Sequence, residues 1–240
     1  MNATSAIVRQ GSAVLPPVAV YIVDDDAAMR AEMAEMLGWW GLAVTEFATG
    51  NELLDAADRL RPGIVILDLH MPGRDGLDIQ RALNTRGTSH QVIILTGQGR
   101  VATVVQTMQN GAVDYLEKPV MPDVMKAAVA VAVKRLDVRL AETVRADLGC
   151  RMLDRLTPRE RDVLRGIVAG KANKIIALKH GLSFRTIESY RHSLMTKLGT
   201  KSVAGLVRIV QAAEMHMGKL AWQTTMAGEG RNDEKPDAGR

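Results

Sequence analysis

Cysteine is almost missing from this chain: Cys150 is the only one in 240 residues. One thiol excludes an intrachain disulfide framework and any CxxC metal or redox motif, which fits a reducing cytosol. Cys150 is left as an ordinary residue of a connecting segment. Long apolar runs are missing too. No segment approaches the about 18 consecutive apolar residues of a membrane helix, and residues 1–17 lack a basic start followed by an apolar core. Neither a membrane span nor an export signal is expected, so the chain reads as soluble and cytoplasmic. At 47% hydrophobic it can still bury sizeable cores, and its length suits one or two domains.

An even spread of charge is also lacking, and this favours two domains. Residues 151–222 carry fourteen Lys/Arg against five Asp/Glu, a net of +9, while the rest of the chain carries seventeen against twenty-two, a net of −5. A basic module joined to an acidic one points to a C-terminal part that binds a polyanion.

Within the acidic part, apolar runs of strand length alternate with stretches of helical period. Strands are expected at Val18 to Val23, Leu42 to Val44, Ile64 to Leu67, Val92 to Leu95 and just before Lys118. Helices are expected around Met29 to Leu37, Leu53 to Ala57, Leu77 to Leu83, Val101 to Met108 and Asp123 to Val133. The Met residues serve as core filler. Strict βα alternation over about 135 residues predicts an α/β fold, a five-stranded doubly wound parallel sheet. Leu136, Leu140, Val144 and Leu148 then recur every four residues, which reads as a helical linker over 136–151. Such a stripe either packs against a partner chain or belongs to a solvated helix. Residues 1–16 are expected to be flexible and 218–240 mostly disordered, the tail from Ala227 being rich in Gly and charge with no apolar pattern.

The polar residues at the strand ends carry the chemistry. Asp24, Asp25 and Asp26 follow the first strand, Asp68 the third, Thr96 the fourth and Lys118 the fifth. In an open parallel sheet these ends converge on one crevice. A lone carboxylate there is usually a helix cap, but several packed together repel and require a cation. Oxygen ligands without a His or Cys cluster favour Mg²⁺. Asp68 can act as a nucleophile toward phosphorus, Lys118 can neutralise the incoming group, and Thr96 can donate a hydrogen bond to it.

Val23-Asp24-Asp25-Asp26, Leu67-Asp68-Leu69-His70-Met71-Pro72-Gly73, Leu95-Thr96-Gly97 and Tyr115-Leu116-Glu117-Lys118-Pro119 together resemble the motif set of a response-regulator receiver domain, over residues 17–135. The resemblance implies Asp68 as phospho-acceptor, with Asp24, Asp25, Asp68 and the backbone carbonyl of His70 as Mg²⁺ ligands. It also implies Thr96 and Tyr115 as a switch pair and Lys118 as a phosphoryl contact. Asp26 is expected to be an exposed neighbour. The side chain of His70 either tunes the phosphoryl lifetime or stands by in solvent.

In the basic part, Thr157-Pro158-Arg159-Glu160 has the pattern of a capping box, with Pro at the first helical position. A helix runs from there to Gly170, a short one spans Ala172 to Lys179, Gly181 turns the chain, and Ser183 caps a third helix ending near Gly199. This is an all-α helix-turn-helix arrangement. Ile187, Leu194 and Leu198 face inward, leaving Arg185, Glu188, Ser189, Arg191 and His192 for a major groove. Residues 152–217 resemble the LuxR-type helix-turn-helix of NarL/FixJ response regulators, and the receiver resembles the FixJ branch. The likeness rests on Leu156 to Glu160, Gly170, Asn173-Lys174, Ser183 to Glu188 and Met195 to Gly199. It implies Thr186, Lys197 and Lys201 as phosphate contacts and Glu188, Ser189 and His192 as base readers. Two departures are Tyr190, where many relatives carry His, and His180, where an apolar residue is expected.

The expected function is that of a phosphorylation-dependent transcriptional regulator. A sensor histidine kinase would phosphorylate Asp68, and the receiver would dimerise. Two DNA-binding modules would then sit on a two-fold symmetric promoter site in double-stranded DNA. RNA polymerase is a candidate further partner. Beyond its own phosphorylation and slow dephosphorylation, no enzymatic activity is expected. The rivals are a phosphorylation-independent regulator whose receiver is a dimerisation platform, and a Mg²⁺-dependent aspartyl-phosphate hydrolase. The hydrolase class resembles Asp-x-Asp, whereas His70 holds the second position here.

Overall fold

The computed structural model describes residues 17–97, 99 and 101–217; the expectations for 1–16 and 218–240 lie outside them. Five strands, β1 (Ala19–Val23), β2 (Ala43–Phe47), β3 (Gly63–Asp68), β4 (Gln91–Thr96) and β5 (Asp114–Glu117), alternate with α1 (Ala27–Trp39), α2 (Gly50–Ala56), α3 (Gly76–Thr85), α4 (Val101–Gln109) and α5 (Pro122–Asp154). All pairings are parallel, in the order β2-β1-β3-β4-β5. Every residue of β1 and β3 is buried, as happens when helices cover both faces of a parallel sheet.

Side chains alternate between those faces. Tyr21, Val23, Val65, Leu67 and Ile94 pack with Leu53, Leu54, Leu77, Ile79 and Leu83 of α2 and α3. Val20, Ile22, Ile64, Ile66, Ile93 and Leu95 pack on the other side with Met33 and Leu37 of α1 and with Met125, Ala128, Val129 and Ala132 of α5. Met29 and Met36 are half-buried against this second core, in the filling role expected of them.

The chain divides into two compact units, Met1–Leu140 and Ala141–Arg240. Helix α5 runs 33 residues without a break, so 136–151 lie within it. Leu136 is buried, but Val144 and Leu148 of the four-residue stripe are exposed.

The second unit contains α6 (Pro158–Val168), α7 (Asn173–His180), α8 (Phe184–Lys197) and α9 (Val203–Met217). Its core joins Leu153 and Leu156 to Val163, Leu164, Ile167, Ile176, Ile187, Leu194, Leu198, Leu206, Val210 and Ala213. Helix α9 is absent from the sequence expectations, although Leu206, Val210 and Ala213 recur at helical spacing along its buried face. The tight turn between α7 and α8 rests on Gly181, whose φ of 63° is left-handed and favours glycine.

Far from the strand C-termini, the His90 ring meets Tyr21 edge-on at 5.4 Å, and its Nδ1 is buried without a hydrogen-bond partner. Burial pushes the His90 pKa down, outweighing the backbone groups of Ala57 and Gly63 that raise it. Folded His90 therefore binds its proton less readily than the unfolded chain, whose ordinary value is 6.5. This stability is present above that value and lost as the pH falls below it. Urea unfolding of the wild type should weaken between about pH 7.5 and pH 5.5 relative to His90→Phe, which has no proton to take up.

Candidate functional site

The crevice at the strand C-termini gathers Asp24, Asp25, Asp68, Thr96 and Lys118. Asp24 follows β1, Asp68 ends β3, Thr96 ends β4 and Lys118 follows β5. Lys118 Nζ donates to Asp24 Oδ2 and to Asp68 Oδ2, each at 2.7 Å. Burial works to lower the Lys118 pKa, but the hydrogen bonds and charges of Asp24 and Asp68 outweigh it and raise the value. Backbone N–H groups hold the other oxygens: Asp26 N donates to Asp24 Oδ1 at 2.9 Å and His70 N to Asp68 Oδ1 at 3.1 Å.

Asp24, Asp25 and Asp68 can each offer an oxygen, all within 4.8 Å of one another. Asp24 and Asp68 are buried and Asp25 is exposed. One ammonium among three carboxylates leaves an excess of negative charge, and the donors are all hard oxygens, so the set fits Mg²⁺. Asp26 caps α1 instead, accepting from Ala28 N at 2.8 Å and Met29 N at 3.2 Å.

Thr96 is fully buried, and its Oγ1 lies 3.3 Å from His70 Nδ1. The Tyr115 hydroxyl is buried and has no hydrogen-bond partner among the described residues. The two side chains expected as a switch pair thus sit on adjacent strands. A close backbone approach holds the end of β3: a Cβ on Gly76 would lie 2.5 Å from the Asp68 carbonyl oxygen and 2.8 Å from Leu69 Cα.

In the second unit, Ser183 Oγ accepts from Thr186 N at 3.1 Å and starts α8. Ile187 and Leu194 pin one face of α8 to the core. Arg185, Glu188, Ser189 and His192 are exposed at i, i+3, i+4 and i+7 on the other, and Lys201 is exposed beyond the helix. Half-buried Thr186 bonds Ser183 through its hydroxyl, and Arg191 Nη1 donates to Asn173 Oδ1 at 3.2 Å. Tyr190 packs against the core. His180 lines a groove between α6 and α7 beside Asp162, Arg165 and Lys179.

Lys197 has an unexpected partner. Glu160 is 4% exposed and accepts from Thr157 N at 2.9 Å, Ser193 Oγ at 3.0 Å and Lys197 Nζ at 2.8 Å. Burial alone would raise its pKa, but Lys197, Thr157 and Ser193 together hold it at about 2. Sequence spacing reveals the capping box but carries no signal for partners 33 and 37 residues away.

Comparison with known proteins agrees with both halves. Residues 20–130 match the response regulator receiver domain and residues 154–210 the luxR family of bacterial regulatory proteins. The transcriptional regulatory protein FixJ of Bradyrhizobium diazoefficiens is 39% identical over 197 residues, covering 82% of this chain and 96% of that protein. The chain belongs to the FixJ family of response regulators. FixJ of Rhizobium meliloti is 37% identical over 80% of this chain and 95% of its own length. Among solved structures, full-length FixJ from B. japonicum aligns with a TM-score of 0.52 at 36% identity, over 84% of this chain and 99% of that one. The response regulator StyR gives 0.68 at 28%, over 81% and 98%. Among the described residues of this FixJ-family chain, no helix is long and apolar enough to cross a membrane.

Two substitutions probe these arrangements. In this FixJ-family regulator Gly76→Ala should cost about 1–3 kcal/mol in urea unfolding, because backbone rather than a flexible side chain must yield. Glu160→Ala should destabilise the second unit by about 1–2 kcal/mol, since it removes half of a capping box and the hydrogen bonds to Ser193 and Lys197, while the exposed Lys197 ammonium stays solvated. The Glu160 contribution is present above the ordinary carboxyl value of 4.5 and lost as the pH falls toward about 2. The wild-type advantage over Glu160→Gln in thermal unfolding should therefore shrink across that window.

Proposed function

We propose that this FixJ-family chain is a cytoplasmic regulator that accepts a phosphoryl group on Asp68 from a sensor histidine kinase and binds promoter DNA in response. The reading is carried by the convergence of Asp24, Asp25, Asp68, Thr96 and Lys118 in one crevice, with Lys118 bridging two of the carboxylates. Asp24, Asp25, Asp68 and the backbone carbonyl of His70 would hold Mg²⁺. The ion, when bound, supplies charge compensation for the phosphoryl oxygens.

Asp68 provides the attacking oxygen, and the bond from phosphorus to the donor breaks as the new one forms. Lys118 stays beside Asp68 and offsets the added negative charge. The Thr96 hydroxyl turns to a phosphoryl oxygen, and Tyr115 rearranges with it. The receiver then dimerises and brings two helix-turn-helix units onto a two-fold symmetric site in double-stranded DNA, with half-sites about one helical turn apart. Arg185, Glu188, Ser189 and His192 face the base edges. Arg191 faces the same groove while bonded to Asn173, Thr186 and Lys201 contact the phosphates, and Lys197 does so too while clamped by Glu160. RNA polymerase is a further partner of the promoter complex.

The test sets wild type beside Asp68→Asn with Mg²⁺ and a small phosphodonor at fixed salt, reading molar mass and DNA affinity. The donor should drive the wild type to a dimer with tighter DNA binding and leave Asp68→Asn unchanged. Equal binding by both proteins with and without donor would refute the phosphorylation switch and leave a constitutive DNA binder.

A further inference from the structure

Arg30, the fourth residue of α1, reaches back to the loop that carries the acidic residues. Its Nη1 donates to the backbone carbonyl of Asp24 at 2.7 Å, and its Nε lies 3.7 Å from Glu46 Oε2 on the edge strand β2. Held on both sides, the Arg30 side chain is only 15% exposed. The remaining groups of Asp24 are engaged as well: its N–H donates to the Phe47 carbonyl at 3.3 Å, and its carboxylate accepts from Asp26 N and Lys118 Nζ. The carbonyl that Arg30 grips belongs to the peptide joining Asp24 to Asp25. That unit is planar, so fixing its oxygen also fixes where Asp25 begins, and Asp25 is the exposed carboxylate of the three. Arg30 thus closes from behind the turn that presents two carboxylates to the crevice. A guanidinium has no acceptor atom, so Arg30 offers a cation no ligand of its own.

We infer that Arg30 is a positioning residue for the cation pocket, setting the Asp24-Asp25 peptide so that both carboxylates serve one ion. This rests on the reading of Asp24, Asp25 and Asp68 as cation ligands. Without the brace, an arriving ion must order the turn itself, and that ordering is subtracted from its affinity. The charge of Arg30 works the other way. A guanidinium beside the pocket repels a divalent cation, and Glu46 offsets only part of that repulsion. Positioning and charge therefore predict opposite signs when Arg30 is replaced by a neutral residue, which makes the two separable.

The experiment titrates the full-length chain with Mn²⁺, an oxygen-seeking stand-in for Mg²⁺ whose free form is counted by electron paramagnetic resonance, with Mg²⁺ as competitor. Arg30→Met keeps an apolar stem and loses both the donor and the charge. It should bind the ion about tenfold more weakly than wild type, the lower end of what losing an orienting partner costs a metal site. Ala34→Gly, which weakens the same helix away from the loop, should leave the affinity unchanged. Equal or tighter binding by Arg30→Met overturns the inference. An equal loss in Ala34→Gly also overturns it, because the effect is then one of helix stability. If Asp25→Asn binds Mn²⁺ as well as the wild type does, the reading of the pocket as a cation site falls first, and the role of Arg30 with it.

Discussion

Lys118 lies 2.7 Å from carboxylate oxygens of both Asp24 and Asp68, and the three residues come from the ends of three different strands. Strands β1 and β5 are separated in the sheet by β3 and β4, so this ammonium ties the crevice across most of its width. Two buried carboxylates brought together without it would repel each other. The rest of the receiver serves this contact. Helices on both faces bury the strands, the parallel register brings their ends level, and the cap that Asp26 gives α1 leaves Asp24 and Asp25 to the crevice.

The receiver was largely legible because its chemistry sits where periodicity changes. Each strand ends in a polar residue, and parallel order alone brings those ends together. Asp24, Asp68, Thr96 and Lys118 lie at the strand ends that the apolar runs mark. Partner choice was not legible. That Lys118 would bridge two carboxylates, or that the His70 ring would turn inward to Thr96 rather than outward to solvent, depends on rotamers that no spacing encodes. The stripe of Leu136, Leu140, Val144 and Leu148 shows the opposite limit. Its helical period is real, yet Val144 and Leu148 are exposed, while Ala146 and Leu153 take the buried positions nearby. Periodicity identifies a helix more securely than it identifies the face that is covered.

In the second unit the turns were the legible part, since Thr157, Gly181 and Ser183 each perform the local role their residue type suggests. Lys197 reads equally well from sequence as a phosphate contact, and its ion pair with Glu160 is visible only in three dimensions. Helix α9 went unassigned because no strong cap pattern announces it, although Ser202 Oγ accepts from Gly205 N at 3.1 Å and serves its first turn.

One carboxylate, Glu160, closes the first turn of α6 and grips Ser193 and Lys197 in the last turns of α8. The start of one helix and the end of another therefore share a single anchor. Opening either end breaks the bonds that hold the other, so the two cannot fray independently. Helix α8 is thus tied at its C-terminal end to the start of α6, and the amides of its last turns should exchange with solvent only when that shared anchor opens.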